Sequence, residues 1–153
     1  MKLKTKHFGE IEYDPSLAIT FDEGLPGFPE CKQFIVLLEN KEEDTFSWLQ
    51  STDDGDLAFA LINIYNVMPE YNPLVRNEEV AGLGDMSDNN LLVYNVVVIP
   101  DDIKQMRANL RAPIVINPTT KKGKQVILDN DEYELKYRIF DHVETKPEAV
   151  GSR

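Results

Sequence analysis

The chain has 153 residues, 42% of them apolar and including seven Phe, six Tyr and one Trp. That is enough for one domain with a packed core, and it excludes the apolar-poor composition of a disordered chain. The formal net charge of -11 repels phosphate backbones and anionic lipid, so it argues against direct binding of nucleic acid or membranes, and it suits solubility or a basic partner.

Strand signals dominate in chain order. Met1 to Lys6 alternates loosely, Phe8 to Tyr13 places Gly9 between apolar positions, and Leu17 to Phe21 is a third candidate strand. Glu23 to Glu30 (EGLPGFPE) is a dense turn segment, in which Pro26-Gly27 suits the central pair of a type II turn. Phe34 to Leu38 reads as a strand buried on both faces, and Phe46 to Ser51 as the next strand. Asp54-Gly55 is a hairpin signal ahead of Leu57 to Ile64. Met68 to Asn90 is irregular and acidic, with a short helix predicted over Glu78 to Leu83. Leu91 to Ile99 is the strongest strand signal, and Asp101-Asp102 can cap one helical turn over Ile103 to Met106. Ile114 to Asn117 follows as a strand, Lys121 to Lys124 as a basic turn, and Gln125 to Leu128 and Glu134 to Ile139 close the fold. Asn109 and Asn117 are placed to hydrogen-bond local backbone.

Roughly nine short strands with regular turns predict a mainly β fold. The expected architecture is a single-domain β-barrel-like fold of short antiparallel strands with one or two short helices. Residues 1–141 form the domain, and 142–153 form a polar tail expected to be flexible. The lone Cys31 rules out an internal disulfide. No apolar run follows the N-terminal lysines as a secretory signal would, and no window approaches the ~18 apolar residues of a membrane span, so a cytoplasmic, soluble protein is expected.

No catalytic or metal constellation is legible. His7 and His142 stand at opposite ends without companion ligands. Cys31 lies beside Lys32 but lacks a nucleophile motif. Asp53, Asp54 and Asp56 resemble part of a calcium loop, but Gly55 comes too early and the later Glu is missing; a hairpin turn accounts for the same residues. The acid run Asp129, Asp131, Glu132 and Glu134 lacks the loop glycine. No catalytic residue, cofactor or metal is therefore expected, and the chain reads as a non-enzyme. Carboxylates paired in space are not visible in sequence, which leaves a small hydrolase, or a ligand- or metal-binding β-barrel, as the alternative.

Several segments together resemble the FliW family of flagellar assembly factors. They are Gly24-Leu25-Pro26-Gly27-Phe28-Pro29, Leu49-Gln50-Ser51, Leu57-Ala58-Phe59, Asn109-Leu110 with Ala112-Pro113-Ile114-Val115-Ile116-Asn117, and Gln125-Val126-Ile127-Leu128. They run in the family's order over most of the chain. The departure is Arg107-Ala108, where a small or β-branched pair is usual. The resemblance implies two protein partners, the RNA-binding translational repressor CsrA and flagellin; the free chain is expected to be a monomer. A FliW protein holds CsrA and relieves repression of flagellin translation; cytoplasmic flagellin competes for it and frees CsrA. For such partners the acidic candidates are Glu78, Glu79, Asp85, Asp88, Asp101 and Asp102, each of which also reads as part of a solvated face. The apolar candidates are Phe28, Tyr65, Met68 and Tyr71, which flank turns and prolines but also read as ordinary core packing.

Overall fold

The computed structural model describes residues 1–40, 43–73, 75, 78, 81–83, 91–128 and 132–139. An N-terminal antiparallel hairpin is formed by β1 (Lys2–Thr5) and β2 (Gly9–Glu12). The barrel strands are β3 (Ile19–Thr20), β4 (Gln33–Asn40), β5 (Glu43–Ser51), β6 (Ala58–Ile62), β7 (Leu92–Val98), β9 (Ile114–Asn117) and β10 (Lys122–Gln125). They are ordered β7-β6-β5-β4-β3-β10-β9, and the β9 end pairs back onto β7 to close a seven-stranded barrel. Pairing β9 with β7 covers edges that would otherwise expose backbone groups, while β4 is paired by β3 over two residues only. Every described pairing is antiparallel except β10 with β3. Two short strands, β8 (Arg107–Ala108) and β11 (Tyr137–Arg138), extend the sheet outward from the second half of β7.

Period-two alternation sorts side chains between the barrel interior and its outer surface. Phe21, Phe34, Leu49, Leu61, Ile114 and Ile116 are buried together inside. Outside β6 and β7, Ile62, Ile64, Tyr71, Val97, Met106 and Leu110 form a second core. A third, smaller core of Leu83, Val115, Val126 and Leu128 lies outside β9. The hairpin covers β5 by stacking: His7 lies flat on Trp48 at 5.8 Å and Phe8 meets it edge-on at 5.5 Å.

Several expectations are corrected. The strand expected over Leu17 to Phe21 shrinks to β3, because Asp14 caps a 3-10 turn over Pro15–Leu17 that takes up the preceding residues. Lys121 to Lys124, expected as a turn, is largely β10. Gly123 sits there because the buried Phe21 ring occupies the space; a Cβ on it would lie 2.7 Å from the ring's Cζ. Val126 to Leu128 follow β10 without strand pairing, although the Val126 and Leu128 N–H groups donate to the Pro113 and Arg111 carbonyls. β8 was not foreseen. The FIVLL strand is buried at Phe34 and Ile35, but Leu38 is 51% exposed because β3 is too short to cover it. Of the helix expected over Glu78 to Leu83, the described residues bear out helix at Glu78 and tighten to a 3-10 turn at Ala81–Leu83. The proposed tail, 142–153, lies outside the described residues.

Candidate functional site

The GLPGFP segment plugs one end of the barrel. Gly27 has φ +85, as a type II turn requires at that position, and the Phe28 N–H donates to the Leu25 carbonyl at 2.7 Å. This tight reversal drives Leu25 into the interior core and lays Phe28 edge-on against Phe59 at 5.7 Å. Gln50 is fully buried and its Nε2 donates to the Ser51, Gly55 and Leu57 carbonyls, which clamps the Asp54-Gly55 turn. Ser51 Oγ accepts from the Asp53 and Asp54 N–H groups. Asp53 Oδ2 accepts from the Lys32 and Gln33 N–H groups, and Asp54 Oδ1 from the Asp56 N–H. These carboxylates therefore serve the turn. Among the described residues no group of three or more His, Cys, Asp or Glu is placed to hold a metal ion.

The sequence-derived contact residues fall into separate groups. Tyr65 is 36% exposed, and its ring lies 5.7 Å from that of Tyr71. Met68 packs half-buried on the same outer core. Tyr71 itself is only 3% exposed: its hydroxyl donates to the Leu110 carbonyl at 2.6 Å and accepts from Asn95 Nδ2 at 3.1 Å. It supports Tyr65 from beneath and is not offered at the surface. Burial pushes its hydroxyl up to about 12, against a smaller downward pull from the Asn95 hydrogen bond. Asp101 and Asp102 are exposed at the turn leading to Met106 of the same core, and Asp102 Oδ1 caps the Lys104 N–H at 3.1 Å, as expected. Glu78 is exposed elsewhere and lines a recess of about 190 Å³ with Asp22, Glu23 and Lys124, next to the plug loop that carries Phe28. Glu79, Asp85 and Asp88 lie outside the described residues.

Sequence reasoning missed a groove of about 430 Å³ at the barrel end away from the plug. It is lined by Glu12, Asp14, Leu17, Val36, Leu92 and Tyr94, among others. The legible signal was the capping pattern Asp14-Pro15-Ser16, which shortens β3 and opens this end.

Comparison with known proteins decides the family. The model of the FliW protein family matches residues 2–139. The chain belongs to the FliW family. It is similar to the flagellar assembly factor FliW of Thermoanaerobacter pseudethanolicus, at 45% identity over 94% of this chain and 95% of the relative. It is also similar to that of Alkaliphilus metalliredigens, at 40% identity over 100% and 99%. A crystal structure of the flagellar assembly factor FliW superposes with a TM-score of 0.83 at 36% identity, covering 92% of this chain and 97% of that one. Within this FliW fold the motifs carrying the resemblance have structural work. GLPGFP plugs the barrel, LQS clamps a turn, and Asn109 and Asn117 cap local loops through their Oδ1 atoms.

Proposed function

We propose that this FliW-family chain is a non-enzymatic cytoplasmic regulator that holds CsrA, relieves repression of flagellin translation, and releases CsrA when flagellin binds. The observation that carries this reading is the family match over residues 2–139. The net charge of -11 supports it, since an acidic body docked beside an RNA-binding face raises the free energy of bringing phosphate there without occupying the RNA site. Linkage then requires RNA to weaken the complex by the same factor. Exposed Glu78, Asp101 and Asp102 are the acids to test first, with Tyr65 and Phe28 as apolar contacts. An amphipathic terminal helix of flagellin suits the Tyr65 and Met68 rim.

The test is co-elution of this chain with CsrA and with flagellin from the same organism. Each should form a complex, and added flagellin should displace CsrA. Failure of both proteins to co-elute would sink the proposal, and simultaneous binding of both without displacement would sink the partner switch.

A further inference from the structure

β4 has one unfinished side. β3 pairs with it only at Gln33 and Phe34, whereas β5 pairs with it as far as Asn40. Backbone direction alternates along a strand. The Phe21 N–H donates to the Lys32 carbonyl on the β3 side, and the Thr52 N–H donates to the Gln33 carbonyl on the β5 side. Even-numbered residues therefore point their backbone groups toward β3. Past the end of β3, the N–H and C=O of Val36 and Leu38 face no strand among the described residues. At Val36 this open stretch borders the 430 Å³ groove, and Leu38 continues the edge beyond it. On its inner side lie Val36, Tyr94 and Ile116 of the barrel mouth, with Leu92 40% exposed. The groove is also lined by Glu12 at the end of the hairpin and by Asp14 at the cap of the 3-10 turn. Asp14 is kept ionised by the Ser16 hydroxyl and N–H, which hold its carboxyl below the usual range. The groove's cation, Lys121, is tied back to the Pro118 carbonyl at 2.6 Å.

We infer that the open edge of β4 at Val36 and Leu38 binds an extended segment of a protein partner as an added strand, with apolar side chains facing the barrel mouth and Lys or Arg facing Glu12 and Asp14. An added strand satisfies the idle backbone groups, and its period-two alternation sends every second side chain into the mouth and the others toward the acids. Charge complementarity selects a basic segment over an acidic one. That a partner uses this edge in the cell rests on the binder reading above, whereas the following peptide measurement does not.

The probe is a synthetic peptide of alternating Lys and Val, compared with its Glu-Val counterpart and with a Lys-Val version N-methylated along one edge. Binding is followed by fluorescence anisotropy on the full chain. The Lys-Val peptide should bind, and the other two should bind at least about tenfold more weakly. Leu38→Pro removes one donor facing the open side and no β5 hydrogen bond, so it should also weaken binding about tenfold relative to Leu38→Ala, at matched melting temperature. If Leu38→Pro does not fold, amide exchange of the unmodified chain gives the same answer: the Val36 and Leu38 amides should slow when the peptide is added. Equal binding of all three peptides, no binding up to the solubility limit, or unchanged exchange at Val36 and Leu38 overturns the inference. A dimer of this chain that Leu38→Pro abolishes, without peptide binding, would give the edge to a second copy and also overturn it. If the peptide binds but CsrA and flagellin do not co-elute, the edge stands and the regulatory reading falls.

Discussion

Gln50 makes the residue-scale case. It occupies a fully buried position on β5 because its amide has carbonyls to serve in the turn that follows. Gln50→Leu should therefore cost about 1–3 kcal/mol despite adding an apolar group, read as a lower urea midpoint; an unchanged midpoint would remove the clamp from the account. Tyr71 gives the pH dependence. Its hydroxyl is pushed up to about 12 by burial, above the ordinary 10.0, so the folded state keeps a proton that the unfolded state loses first. The stabilisation is complete below pH 10 and is lost as pH rises toward 12, with a slope of up to ~1.4 kcal/mol per pH unit. Tyr71→Phe should be less stable at neutral pH, because the Leu110 carbonyl and Asn95 amide lose a partner, yet flatter between pH 10 and 12. Parallel alkaline slopes for the two proteins would show that Tyr71 does not titrate there.

At the scale of elements, β3 is the seam of the barrel. It pairs over two residues with β4 and at one position with β10. What secures the seam is packing: Phe21, just past β3, lies against Gly123 of β10 and edge-on to Phe34 at 5.4 Å. Gly123→Ala should force the ring aside and cost about 1–3 kcal/mol, seen as a lower melting temperature. A Phe21→Leu partner substitution should recover part of that loss, since the clash lies between these two residues. Strictly additive losses would mean that Gly123 matters for its backbone alone.

At the scale of the molecule, three apolar cores share one closed sheet, with one inside the barrel and two outside it. Sheet faces that would otherwise meet water are thereby used twice, which lets a chain of this length bury large aromatic residues. The net charge belongs to this scale too. If it steers a basic partner, the association rate with CsrA should fall clearly as ionic strength rises, while dissociation changes little. A rate indifferent to salt, measured by stopped flow, would leave the charge to solubility alone.

Local chemistry was legible in the sequence wherever cause and effect lie within a few residues. The Pro26-Gly27 turn, the Asp54-Gly55 reversal, the Asp102 cap and the loop-capping Asn109 and Asn117 all follow from side chains acting on neighbouring backbone. So did the long apolar strands β4, β5 and β7, and with them the mainly β class. Tertiary structure alone decided what depends on partners far along the chain. Lys122 to Gln125 has the composition of a turn and becomes a strand because β9 offers it a ladder and Phe21 requires a glycine opposite. Tyr71 flanks a proline-rich loop yet is buried, because the Leu110 carbonyl accepts from its hydroxyl and the Asn95 amide donates to it, both from later in the chain. The closure of β9 onto β7 and the open edge of β4 are likewise set by register between strands, and pairing energy belongs to the pair of strands rather than to either sequence alone.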